Sequence, residues 1–364
     1  MKITRVETIV VKVPYRHGGP PTGFGGRVWT TLDTLLVRVE TDDGLTGWGE
    51  AFGYNVIPAT KAAIDELIAP LVVGRDAGAI ADLSLYLQRT LHNFGRGGPA
   101  IYGVSGIDIA LWDIAGKAAK RPLHRLLGHA GRDAIPAYAS LMRYGDPALV
   151  GRKTAEAVER GYRHVKLHER EVPAVRAARE AAGADVAIML DTNCPWTVTE
   201  AVAMARALTP YDLHWLEEPV WPPEDYGGLA EVRRATRIPI AAGENAGSVT
   251  DLAHMMDARA VTYVQPSATK IGGVSAMNAV LALATSREVA VVPHAPYFGP
   301  GLLATLHVLA AAPAATLFER LYVDLDASLF GDLVDAVDGR MRIPSGPGLG
   351  ADPDPDVVTR FRAT

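Results

Sequence analysis

Val186-Ala187-Ile188-Met189-Leu190-Asp191, an apolar run that ends in a carboxylate, recurs in kind as His214-Trp215-Leu216-Glu217 and as Pro239-Ile240-Ala241-Ala242-Gly243-Glu244. Short apolar runs of this kind are what a strand buried on both faces requires. Amphipathic helical patterns, at 198–208 and 229–235, separate them. The alternation extends outward in both directions, with strands expected at 135–141, 164–168, 263–267, 289–294 and 316–319 and helices at 154–160, 174–182, 251–259 and 276–287. Each parallel strand needs a crossover, so eight strands alternating with helices predict a closed α/β barrel. An open doubly wound sheet is the alternative, but it would carry a glycine-rich nucleotide loop, and none is present.

Residues 1–127 have a different texture. Strands are expected at 3–13 and 34–39, with 46–50 pairing back across a turn at 42–44, followed by helices at 58–68, 80–92 and 103–117. The glycine- and proline-rich stretch 15–26 has no apolar periodicity and reads as a lid. The division expected is therefore 1–127 as a capping domain, 128–323 as the barrel, and 324–364 as a segment that returns to the cap.

The 364 residues are 48% apolar and 21% charged with a formal net charge of -5, the mix of a globular protein with a large core. No Lys/Arg cluster is dense enough to follow a phosphate backbone, so a small molecule rather than nucleic acid is the expected partner. Cys194 is the single cysteine, which excludes an internal disulfide and a thiolate metal cage and fits a reducing cytoplasm. No apolar run is long enough for a membrane span, and the N-terminal residues alternate like a strand without the apolar block of a signal peptide. The expected setting is cytoplasmic and soluble.

Lys166, His168, Asp191, Glu217, Glu244, His294 and Glu319 fall at or near the ends of successive strands, and in a barrel those ends meet at one face. A lone carboxylate there would be a helix cap or a surface ion pair. Three on consecutive strands, Asp191, Glu217 and Glu244, repel one another unless a cation is present. All-oxygen ligands suit Mg²⁺, with Mn²⁺ as a substitute. Lys166 and His168 are two apart and share one side of a strand, where Lys166 either neutralises Asp191 or Glu217 or takes part in chemistry. Such an arrangement suits removal of a proton α to a carboxylate. General-base catalysis contributes only about 10² to 10⁴-fold, so the developing charge also needs stabilisation, from the metal, Lys166 and a protonated Glu319. Asn193 and Asn245 either contact substrate or orient the ligands, and Tyr297 either reaches the mouth or packs against the cap. Glu218 is expected to point away from the site in an ion pair behind the barrel, Lys270 to pair with a carboxylate, and Cys194 to be a filler.

These residues, taken with Gly47-Trp48-Gly49-Glu50, Ile107-Asp108-Ile109-Ala110-Leu111-Trp112-Asp113, Leu216-Glu217-Glu218-Pro219 and Lys270-Ile271-Gly272-Gly273, resemble the mandelate racemase branch of the enolase superfamily over nearly the whole chain. The resemblance implies a (β/α)7β modified TIM barrel under an α+β cap made from both chain ends. It implies Mg²⁺ on Asp191, Glu217 and Glu244, a base at position 168, His294 as the opposite acid/base, and Glu319 hydrogen-bonded to the substrate carboxylate. It also implies that loops near 15–26 and 53–55, Tyr54 included, cover a small carboxylate substrate, and that the chain forms a homo-oligomer.

Two departures bear on activity. His168 stands where the branch usually has lysine, and an imidazole, with an unperturbed pKa near 6.5 against about 10.4, needs far less tuning to act as a base at neutral pH. Ser267 replaces the aspartate that usually supports the histidine at 294, so His294 is expected to be the weaker base. Racemisation needs two bases, whereas dehydration needs a base and an acid. The sequence therefore points to a dehydratase of a hydroxy acid, a sugar acid, ahead of a racemase, epimerase or cycloisomerase, and ahead of a non-catalytic carboxylate-binding protein.

Overall fold

The computed structural model describes residues 1–128, 132–312 and 316–363. Thr364, the last residue of the expected returning segment, lies outside them. Two sheets organise the chain. The first is antiparallel: β1 (Ile3–Arg16), β2 (Thr31–Thr41) and β3 (Thr46–Ala51) lie in order, and the loop at 42–45 joins the last two. The second is the barrel wall, made of β4 (Ala134–Ser140), β5 (His164–Leu167), β6 (Ala187–Asp191), β7 (Leu213–Glu217), β8 (Ile240–Ala242), β9 (Tyr263–Val264), β10 (Ala290–Val291) and β11 (Phe318–Leu321). Its order is β10-β9-β8-β7-β6-β5-β4-β11 with parallel pairing throughout. A helix follows each of the first seven strands, which is the (β/α)7β pattern. Across the seam between β10 and β11, Thr316 Oγ1 donates to Val291 O at 2.6 Å.

Inside the barrel, Tyr138, Met189, Trp215, Ala241 and Val292 form a plug, with the Tyr138 and Trp215 rings edge to face at 5.6 Å. These are inward-facing residues of different staves, and their bulk closes the floor beneath the polar residues at the mouth.

Helix Pro99–Ala118 is apolar on nearly every side because it lies between the antiparallel sheet and the barrel. The motif Ile107 to Asp113 is explained by this position. Asp108 Oδ1 accepts from Ser275 N at the start of helix Gly273–Ser286, and Trp112 Nε1 donates to Ser275 Oγ. Asp113 accepts from Trp48 N and Leu349 N and pairs with Lys117, which joins β3 to the C-terminal segment. That segment is divided in its contacts. Asp324–Leu325 pairs with β1 and Arg362 bridges to Val11, whereas Arg340–Arg342 pairs with β4 of the barrel.

Several expected strands end earlier than their sequence pattern. Glu244, Ser267 and His294 fall past the ends of β8, β9 and β10, and His168 one residue past β5. The clearest cause is Gly243, whose φ of +137° takes the chain out of the ladder just before Glu244; a Cβ there would sit 2.9 Å from Gln265 N. The first strand runs longer than expected, to Arg16, so the lid begins at His17.

Gly49 faces Gly106 closely enough that a Cβ on Gly49 would lie 1.9 Å from the Gly106 carbonyl oxygen. Gly49→Ala therefore forces strand and helix backbones apart, with an expected loss of about 1–3 kcal/mol in urea unfolding. An unchanged midpoint would show that this contact does not hold sheet to helix.

Candidate active site

The ends of β5, β6, β7 and β11 converge on Lys166. Its ammonium is fully buried and lies 2.9 Å from Glu319 Oε1, 3.0 Å from Glu217 Oε1 and 3.5 Å from Asp191 Oδ2. Burial works against a charged amine, yet these carboxylates hold Lys166 well above the ordinary lysine range.

Oxygens of Asp191, Glu217 and Glu244 lie within 4.8 Å of one another. The three carboxyl groups differ in environment. Burial would raise Asp191, but Lys166 and a hydrogen bond from His168 hold it below the usual range. Burial moves Glu217 up to about 7 against the pull of Lys166. Glu244 is driven well above the carboxylate range by burial and by the charges of Glu218 and Asp191. Without a cation the cluster cannot hold all three charges. An all-oxygen donor set with this excess of negative charge fits a hard divalent ion.

Burial favours the neutral acid of Glu319, but Lys166 and His294 bring its pKa down to about 2. Ser140 Oγ donates to one oxygen and Ala295 N–H to the other, at 2.8 Å each. Three donors on one carboxyl stabilise the anion.

The two histidines flank the triad and are held differently. His168 Nδ1 faces the Leu141 carbonyl, which can only accept, so Nδ1 carries a hydrogen. Nε2 lies 3.2 Å from Asp191 Oδ2. His294 also turns Nε2 to the triad and differs in what backs it. Its Nε2 lies 3.2 Å from Glu244 Oε2 and its Nδ1 3.3 Å from Ser267 Oγ, and Ser267 is in turn hydrogen-bonded to the Tyr297 hydroxyl. Burial pushes this imidazole down to about 3, which favours its neutral form.

A cavity of about 360 Å³ opens above these groups. Both expected covering loops line it, through Thr22 to Phe24 and Gly53 to Val56. Trp29 stacks on Tyr54 at 4.8 Å and donates to Asn55 Oδ1, and Tyr54 OH donates to Pro296 O, so the lid is clasped to the barrel mouth. Asn193 and Asn245 both line the cavity. The backbone N–H of Asn193 donates to Asp191 Oδ1, and the Asn245 amide donates to Glu218. Tyr297 is not among the lining residues; its hydroxyl serves Ser267 and His294 instead.

Glu218 does not form the expected ion pair behind the barrel. A φ of +45° turns it back, and it accepts from Asn245 and from Cys194 Sγ at 3.2 Å. Arg143 was not foreseen. It lines the cavity and donates through Nε to His168 O at 2.7 Å and through Nη2 to Asn193 Oδ1 at 3.1 Å. Its signal was weak, one arginine just past a strand end.

Residues 5–128 match the mandelate racemase / muconate lactonizing enzyme N-terminal domain, and residues 150–357 match the enolase C-terminal domain-like family. This chain belongs to the mandelate racemase / muconate lactonizing enzyme family. Across the whole chain it is 32% identical to a D-galactarolactone cycloisomerase of Agrobacterium fabrum, of which 99% is covered. Over 88% of each chain it is 32% identical to an arabinonate dehydratase of Saccharolobus solfataricus. Among solved structures, an enolase superfamily member from Polaromonas sp. JS666 superposes with a TM-score of 0.91 at 32% identity, covering 100% of this chain and 98% of that one. An L-talarate dehydratase from Polaromonas sp. JS666, complexed with Mg and L-glucarate, does so with a TM-score of 0.87 at 26% identity and the same coverage. This enolase-superfamily chain has, among its described residues, no helix long and apolar enough to cross a membrane.

Lys166→Met leaves three buried carboxylates without their shared cation, with an expected cost of about 3–5 kcal/mol near pH 7 in chelator. Lys166 lowers Asp191 and Glu319, so its stabilisation is complete above the unfolded carboxylate range, about pH 4. It is lost as pH falls through about 2 for Glu319. Urea unfolding of both proteins across this range should show the difference shrinking as pH falls; a constant difference contradicts the assignment.

Proposed function

We propose that this protein is a Mg²⁺-dependent hydro-lyase that removes the proton α to the carboxylate of a hydroxy acid, a sugar acid, and expels its β-hydroxyl. The observation that carries this reading is the unequal backing of two histidines that both turn Nε2 to the triad. The Leu141 carbonyl fixes a hydrogen on His168 Nδ1 and leaves its Nε2 to take a proton, whereas His294 Nδ1 meets the Ser267 hydroxyl, a weaker support for a base. One base and one acid suit dehydration, whereas racemisation needs two bases.

Asp191, Glu217 and Glu244 would hold the metal, and Mn²⁺ suits the same oxygens. When bound, the ion polarises the substrate carboxylate and stabilises the charge that develops as the α-proton leaves. Lys166, kept charged by its neighbours, stands beside that oxygen and adds a preorganised positive charge. Glu319 holds Lys166 in place and would hydrogen-bond the substrate carboxylate when it carries a proton. His168 takes the α-proton on Nε2. His294 hydrogen-bonds the departing hydroxide through Nε2, backed at Nδ1 by Ser267 and Tyr297. The proton held by His168 joins that hydroxide to leave as water, so both imidazoles end neutral. The water leaves an enol, which tautomerises to the 2-keto-3-deoxy acid. Residues 1–127 with 324–364 would form the cap that keeps bulk water from this sequence, over a barrel of 128–323. In support, Asp324–Leu325 pairs with β1 and the two covering loops line the cavity.

A cycloisomerase is the second reading, because the full-length relative in Agrobacterium fabrum bears that name and the same base and acid would serve an internal oxygen leaving group.

The test is incubation with a library of acid sugars and Mg²⁺ in D₂O. Keto product with chelator-sensitive turnover is expected; α-deuterium uptake without keto product would exclude the lyase. His168→Asn is expected to slow α-proton loss by about 10² to 10⁴-fold. His294→Asn should retain α-exchange while losing keto product, and retention of both activities would remove His294 from the mechanism.

A further inference from the structure

Lys270 lines the cavity and is only 6% exposed, yet among the described residues its ammonium has no hydrogen-bond partner and no carboxylate oxygen within 4.0 Å. Its Nζ lies over a ring face, 4.7 Å from the centroid of Phe52. The two carboxylates that act on it do so from beyond 4.0 Å and have other partners. Glu218 takes donors from Asn245 and Cys194, and Glu244 faces His294 and the triad. The expectation that Lys270 pairs with a carboxylate in the barrel is not met. A buried ammonium with this little compensation is costly unless a ligand oxygen completes it.

The surroundings narrow the ligand. Every residue that the cap contributes to the cavity is uncharged. The one acidic residue of the wall, Glu244, belongs to the triad, and Arg143 is tied to His168 and Asn193 through Nε and Nη2, two of its five donors. The first carboxylate of an acid-sugar substrate is accounted for at the triad and Lys166. Lys270 is a second cation, on a different stave and unspent.

We infer that Lys270 binds a second acidic group of the substrate, so that the site takes dicarboxylic sugar acids in preference to monocarboxylic ones of the same length. This rests on the acid-sugar reading above and adds the substrate class. Lys270 touches the far end of the substrate and determines specificity; it takes no part in proton transfer.

The test is calorimetric titration of the Mg²⁺-loaded protein with galactarate, which carries a carboxylate at each end, and galactonate, which carries one. Wild type is expected to bind galactarate about tenfold more tightly, the scale of one charge-assisted hydrogen bond. Lys270→Met should bring the two acids to within about twofold of each other, and Lys270→Arg should keep part of the preference. Unfolding midpoints show that each variant is folded, and the wild-type preference needs no variant. Equal affinities in wild type, absence of galactarate binding, or a parallel loss of both acids in Lys270→Met would overturn the inference, the last by making Lys270 a counter-charge of the carboxylate cluster. Deuterium exchange on the same samples separates the two readings. Galactarate preference without α-exchange supports the anion site and removes the lyase, whereas α-exchange without preference overturns Lys270 alone.

Discussion

One ammonium group shared among carboxylates from three other staves sets the terms for the whole active face. Lys166 meets Glu319, Glu217 and Asp191 within 3.5 Å, in a place with no solvent to screen them. Its single charge cannot balance the full set, and the imbalance is visible in Glu217 and Glu244, whose carboxyls are pushed upward. Folding thus places a deficit of positive charge at the barrel mouth. A divalent ion is the natural remedy, and the proposed function follows from that deficit.

The fold makes this possible by ending its strands early. Gly243 turns the chain out of β8 so that Glu244 reaches the centre, and similar exits release His168 and His294 from the ladder. Beneath them Tyr138 and Trp215 fill the barrel, so nothing polar is lost into its interior. Above them the clasp of Trp29 on Tyr54, with Tyr54 held to Pro296, ties a glycine-rich lid to the same rim. Between floor and lid lies a cavity onto which two imidazoles with different backing face, each with Nε2 turned to the triad.

The alternation of apolar runs and amphipathic helices was enough to read the barrel, because parallel strands leave few other solutions. The convergence of Lys166, Asp191, Glu217 and Glu244 was legible for the same reason: residues at equivalent strand ends must meet. Orientation was not legible. Nothing local reveals that Glu218 turns back through a positive φ, that Tyr297 points at Ser267, or that Lys270 has no carboxylate oxygen within 4.0 Å among the described residues. The donors that Ser140 and Ala295 give Glu319 come from strands and loops that only the closed ring brings together. Arg143 joins His168 to Asn193 through contacts that only the closed ring creates.

The most direct measurement is anomalous diffraction from crystals grown with Mn²⁺, which marks the position of a divalent ion independently of any activity. The expected result is a single peak among the carboxylate oxygens of Asp191, Glu217 and Glu244, with Lys166 still against Glu319. A peak elsewhere, or none at saturating Mn²⁺, would contradict the assignment of these three carboxylates as a metal site and with it the chemistry built on them.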